Sequence, residues 1–220
     1  ANTLKNQFSQ IPGVDKVTLC ASAPSSQSNW NTSINYDNRQ ESEVFKVTVK
    51  AADDKYLSTF GLELVTGRNI FPADSVREVL VNEAFVRKLN LKSAEEVIGK
   101  NFGIDGGRIN APIVGVVKDF HDRSFHEEIN AVCITSMRDN YEKYAVKINM
   151  ANAKRTLTTL EKTWSAIHPD QIYEYQFLDE YIAKFYETEE MMFKLIQVFS
   201  FIAIFIGCLG LYGLVFFMVA

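Results

Sequence analysis

No aspartate, glutamate, lysine, arginine, histidine or proline follows Lys194, and that absence divides the chain in two. Residues 195–220 form one apolar run, longer than the ~20 residues that cross a hydrocarbon core ~30 Å thick. All 23 basic and 27 acidic residues therefore lie in the first 194 positions, so the mean hydropathy of -0.07 averages two unlike parts. A basic cluster is also missing. With a net charge of -4 and a pI near 5.5, the composition excludes a nucleic-acid binder. Cysteine is scarce, and the three present (Cys20, Cys133 and Cys208) show no metal-binding spacing. Cys208 lies in the apolar run. Cys20 and Cys133 read as reduced or buried thiols inside strands rather than as a disulfide. There is no internal repeat. The polar opening Ala1-Asn2-Thr3-Leu4-Lys5 has no signal-peptide pattern. The chain lacks an initiating Met, and its apolar run stops without a charged flank, so both ends are expected to continue into a longer protein.

The part before Lys194 alternates short apolar runs with turn residues. Leu4, Phe8 and Ile11 have helical spacing, stopped by Pro12-Gly13. Residues 14–20 alternate as a strand. The Ser- and Asn-rich stretch 22–38 reads as a long loop or ragged hairpin in which Trp30 and Tyr36 are isolated aromatics. Residues 44–49 form a second strand pattern. Asp53 is placed to cap a short helix containing Tyr56, Leu57 and Phe60 and ended by Gly61, with an extended piece at 62–67.

Composition then shifts. Residues 78–81 read as a strand, Asn82 caps a helix carrying Ala84, Phe85 and Leu89, and Ser93-Ala94-Glu95-Glu96 forms a capping box. Strand patterns at 101–104 and 111–120 flank the turn Asp105-Gly106-Gly107. Segment 76–122 is thus expected to be a small subdomain inserted into the first. Strands follow at 131–136 and 144–148. An amphipathic helix spans 153–167 with Leu157, Leu160, Trp164 and Ile167 on one face. Residues 172–178 alternate like a strand. Asp179 is placed to cap a helix that meets no breaker onward into the apolar run.

Chemistry-bearing motifs are few. Gly103-Ile104-Asp105-Gly106-Gly107 is followed by a strand pattern rather than by Lys and Ser/Thr at a helix start, so it is a turn and not a phosphate loop. Asp119, His121, Asp122 and His126, with Glu127 and Glu128 nearby, hold residue types that ligate zinc, yet an exposed polar loop has the same composition. No nucleophile motif accompanies His121 and Asp119. No catalytic, cofactor or metal residue is therefore assigned. Trp30 is a candidate partner-binding tip, though one half-buried aromatic is common. Phe193, Phe199, Phe201, Phe205, Phe216 and Phe217 read as lipid or helix contacts. Gly207, Gly210 and Gly213 recur every third residue in the span. They form a candidate helix-packing face, because small residues let backbones approach closely in lipid.

Four ordered stretches carry a family resemblance. They are residues 49–69, with Asp53-Asp54-Lys55-Tyr56-Leu57 and Gly67-Arg68-Asn69; Val81-Asn82-Glu83-Ala84-Phe85; Ile113-Val114-Gly115-Val116-Val117-Lys118-Asp119-Phe120-His121; and 199–217. In order and spacing the chain resembles the extracytoplasmic domain and following membrane helix of a MacB/FtsX-type ABC-transporter permease, especially those of Bacteroidetes. The resemblance implies an α+β fold in two parts, followed by one transmembrane helix at 195–220. A porter-like subdomain would come from 1–75 and 123–190, and the inserted subdomain from 76–122. It also implies an ABC ATPase subunit, the remaining permease helices and a permease dimer as partners. The soluble part would stand on the extracytoplasmic, periplasmic side of the cytoplasmic (inner) membrane. The expected function is non-catalytic: coupling ATP-driven helix motion to export or mechanical work on the outer face, with no cofactor. The competing readings are a membrane-anchored ligand sensor using the 22–38 loop and a tethered hydrolase using the His121 region.

Overall fold

The computed structural model describes residues 2–26, 30–104, 109–123 and 127–219. It divides into two compact units, 1–175 and 176–220. The first unit contains α1 (Asn2–Ser9), β1 (Val14–Cys20), β2 (Trp30–Tyr36), β3 (Lys46–Ala51), α2 (Tyr56–Phe60), β4 (Leu64–Gly67), β5 (Val79–Asn82), α3 (Glu83–Lys88), β6 (Asn101–Ile104), β7 (Ile109–Val117), β8 (Val132–Thr135), β9 (Lys143–Ile148) and α4 (Ala153–Ile167). The second is essentially α5 (Leu178–Val219). The α+β expectation and the single C-terminal apolar helix hold.

Seven strands pair in the order β4-β7-β5-β8-β3-β2-β6, and β6 pairs again with β7, which closes six of them into a ring. The β3–β8 and β5–β7 pairs are parallel; the others are antiparallel. Long β7 permits the closure: residues 109–112 pair with β6, and residues 115–117 pair with β4 further along. Side chains alternate between two cores with the period of a strand. Val79, Val81 and Cys133 join Ile34, Val47, Phe85, Phe102 and Ile113 in one, while Leu80, Val132 and Ile134 join Tyr56, Leu57 and Ile70 in the other. Covered on both faces, β5 and β8 are buried throughout and are apolar up to the Asn82 and Thr135 that end them.

A second sheet has only two strands. β1 pairs antiparallel with β9, from Val14↔Ile148 to Cys20↔Lys143. Leu4 and Phe8 of α1, Val17 of β1 and Leu160 of α4 form its core. Gly13 makes the turn after α1 possible: its φ is +92°, and a Cβ there would meet Thr156 Oγ1 at 2.4 Å. Asn149 N donates to Gly13 O at 2.8 Å, so the start of the chain is fastened beside β9 and α4.

Strand pairing links the expected inserted segment to the rest of the unit. Segment 76–122 supplies β5, β6 and β7, which hydrogen-bond to β8, β2 and β4 outside it and share their core. Both ends of the unit form the α1–β1–β9–α4 module, and residues 30–135 form the ring.

Other differences are local. Trp30 opens β2, pairs with Val49 and remains 40% exposed, so the polar 22–38 stretch contains a strand; Tyr36 is buried in the ring core. Asp53 does not cap α2, whose N-cap position is Lys55 without a side-chain cap bond. Asp179 lies inside the first turn of α5 together with Glu180, where a negative charge suits the helix dipole. Residues 172–177 are not a strand. A strand needs a partner backbone, whereas the alternation here places Tyr173 against the core that α4 helps to form. The expected Asp105-Gly106-Gly107 turn lies outside the described residues.

Candidate functional site

The acidic and histidine-bearing loop after β7 is built for positioning. Asp119 accepts from Ala84 N at 2.8 Å and from Arg87 Nη2 at 2.6 Å, while its own N–H donates to Glu83 Oε2 at 3.0 Å. These bonds fix the loop to the first turn of α3, where N–H groups lack helical partners. Asp122 is 1% exposed. Its carboxylate accepts from Asn130 Nδ2 at 3.3 and 3.4 Å and lies 3.1 Å from Thr48 Oγ1; its carbonyl accepts from Ser26 N at 3.0 Å. His121 O accepts from Ser25 Oγ at 2.7 Å. Arg123 Nη1 lies 3.4 Å from Glu127 Oε2. His126 lies outside the described residues. Among the described residues, no group of three or more His, Cys, Asp and Glu side chains is placed to hold a metal ion.

Sequence reasoning missed the cation facing this loop. Lys50 of β3 is 1% exposed and donates to Ala23 O at 3.2 Å and to Ser22 Oγ at 3.4 Å. Burial pushes its pKa down to about 8, against the opposing pull of Asp122. The signal available was a Lys in a strand pattern, which alternation alone assigns to solvent. Between about pH 8 and 10.5 the native Lys50 has released a proton that the unfolded chain still holds, so its effect on stability rises with pH by about 3 kcal/mol. Urea titrations of wild type and Lys50→Met across that window test this. The wild-type stability should climb relative to the variant, and a pH-independent difference would rule the buried charge out.

The two strand cysteines are free and buried. Burial drives the Cys20 thiol up to about 12 and raises that of Cys133 as well. Because the thiolate is the nucleophile, both are unreactive in the fold. Iodoacetamide labelling followed by mass spectrometry should modify Cys208 at most until the chain is denatured. Fast labelling of Cys133 in the native chain would contradict this.

The remaining candidate is α5. It is one helix of 42 residues whose stretch Met191–Val215 is long and apolar enough to cross a membrane. Phe193, Phe199, Phe201, Phe205 and Phe217 are all exposed. At Gly207, Gly210 and Gly213 an added Cβ would meet nothing within 4 Å, so the fold of this chain does not itself require glycine there. Upstream, residues 168–177 connect α4 to α5. Trp164 Nε1 of α4 donates to Gln171 O at 3.3 Å, and its ring lies 6.2 Å from that of Tyr173.

Comparison with known proteins agrees with this architecture. The profile of the MacB-like periplasmic core domain matches residues 2–164. The extracellular domain of the noncanonic ABC-type transporter YknZ from Gram-positive bacteria superposes with a TM-score of 0.55 at 14% identity, covering 77% of this chain and 84% of that one. The periplasmic region of MacB from Actinobacillus actinomycetemcomitans gives 0.54 at 15% identity, covering 76% and 74%. A domain of a protein described as a permease, from Porphyromonas gingivalis, gives 0.51 at 17% identity and 73% of each chain. A search of curated proteins gives no match.

Proposed function

The chain belongs to the MacB-like periplasmic core domain family, and from that premise we propose that it is the extracytoplasmic, non-catalytic part of an ABC-transporter permease. In this reading the apolar part of α5 spans the cytoplasmic membrane. The rest of the permease, a second permease copy and an ABC ATPase subunit complete the machine. ATP-driven movement of the membrane helices passes to the soluble domain, which uses it for export or mechanical work on the outer face. Gly207, Gly210 and Gly213 form the face on which other permease helices pack. They leave open space that another backbone can fill, and close backbone approach is how helices associate in lipid.

One observation carries the reading. α5 runs without a break from the charged residues that follow the soluble domain into the apolar span. A helix of this length extends about 63 Å and transmits displacement along its axis, because each residue is bonded to the next turn. The test interrupts that helix in the assembled permease–ATPase complex. Amide exchange of the soluble domain, with and without ATP, is read separately from ATP turnover.

A further inference from the structure

A rigid helix moves a domain only where it is fastened to it, and residues 168–177 have no regular structure to provide the joint. We propose that the contact between Trp164 and Tyr173 is that joint: a positioning pair through which displacement of α5 enters the folded domain. The proposal rests on the mechanotransmitting reading above.

The segment is held to α4 by both backbone and rings. His168 N donates to Trp164 O at 2.8 Å, Gln171 N donates to His168 O at 3.1 Å, and Trp164 Nε1 closes the turn on Gln171 O. The His168 ring lies 5.0 Å from that of Trp164. Tyr173 is half-buried against the module core, between Ile172 at 83% exposure and Tyr175 at 57%. Tyr173 is therefore drawn against the module core, five positions before α5 begins.

From Tyr173 the aromatic contacts continue inward. Trp164 meets Tyr144 of β9 edge-on at 6.1 Å, and Tyr144 meets Phe8 of α1 at 5.7 Å. Edge-to-face pairs of this kind are attractive beyond the area they bury. The path tethers the segment to three elements of the α1–β1–β9–α4 module, and none of its members belongs to the ring. Displacement of α5 thus loads the module first.

The experiment uses the assembled permease–ATPase complex, with hydrogen–deuterium exchange of α1, β9 and α5 measured with and without ATP. Wild type should show an ATP-dependent change in all three. Tyr173→Ala should reduce the change in α1 and β9 roughly tenfold, the scale of one coupling interaction, while ATP turnover and the change in α5 persist. Tyr173→Phe keeps the ring and should behave as wild type. An undiminished ATP response of α1 and β9 in Tyr173→Ala overturns the proposal. An α5 that shows no ATP response in wild type overturns the mechanotransmitting reading itself, so the two failures are distinguishable. Should Tyr173→Ala loosen the module even without ATP, a second variant decides. Thr158 and Tyr173 line one groove. Thr158→Cys with Tyr173→Cys, in a Cys208→Ser background, should recover the response of α1 and β9 when joined by a short bismaleimide. No recovery in the cross-linked fraction overturns the joint.

Discussion

Inserting Gly-Pro after Glu190 is expected to abolish the ATP-driven change in the soluble domain while ATP hydrolysis continues. The insertion falls within α5, just before its apolar stretch Met191–Val215. Proline removes a backbone donor and clashes with the preceding turn, at about 3 kcal/mol in a helix interior, and glycine adds about 1 kcal/mol. The helix should then break into two rods joined by a swivel, and a swivel absorbs displacement. Two added residues also rotate everything beyond them by about 200° and lengthen the rod by about 3 Å. An Ala-Ala insertion at the same place makes the same rotation and extension but keeps the helix whole. If Gly-Pro silences the domain and Ala-Ala does not, continuity is what matters. If both silence it, the angular phase of the helix is decisive. A normal response in the Gly-Pro variant would sink the idea that α5 conducts motion.

Asp53→Ala should cost the first compact unit about 3 kcal/mol, because several donors lose one acceptor together. The Asp53 side chain is 12% exposed. Its Oδ2 accepts from Leu19 N at 2.9 Å and from Lys5 Nζ at 2.6 Å, and its Oδ1 accepts from Lys55 N at 3.0 Å and from the Thr18 hydroxyl. One carboxylate thus ties α1 and β1 of the module to the segment leaving β3 of the ring. Backbone bonds beside it, Asp53 N to Leu19 O at 3.0 Å and Ala21 N to Ala51 O at 2.9 Å, then lack a side-chain companion. Urea midpoints of wild type, Asp53→Ala and Asp53→Asn measure the loss. Asn keeps an acceptor but drops the charge facing Lys5, so it should fall between the two. An alanine variant as stable as wild type would show that backbone pairing and the shared packing of Cys20 and Ala145 join module and ring without it.

Local patterns were legible where one face decides the structure. The helix 153–167 appears at the residues its apolar stripe marks. Asn82 caps α3 through Phe85 N, and the Ser93 and Glu96 capping box is present. What the sequence did not reveal is non-local. The same Asn82 Oδ1 also accepts from Val132 N at 2.9 Å, a second role that no spacing encodes. Ring closure brings together strands far apart in sequence, such as β3 and β8, which the periodicity of a single strand does not encode. Residues 172–177 alternate as a strand would, but among the described residues no strand partners them, and periodicity reports a covered face without saying what covers it. Asp53 resembled a helix cap because capping residues and cross-module acceptors share one chemistry. Of the candidate site, the long apolar helix was legible from composition. The contact between Trp164 and Tyr173 was not, since it depends on how the segment after α4 folds back.

The two-stranded sheet has one further consequence, for the order in which parts of the domain come loose. β2 with β3 and β6 with β7 are neighbours along the chain, whereas β1 and β9 pair residues from opposite ends of the unit, Val14 with Ile148. Bringing such distant segments together carries a larger loop-closure entropy than a hairpin does. β9 is also only partly buried along its length. Separating it from β1 breaks no hydrogen bond of the ring. The pairing of the module can therefore part while that of the ring stays shut, and loosely held units are the ones from which moving parts are drawn.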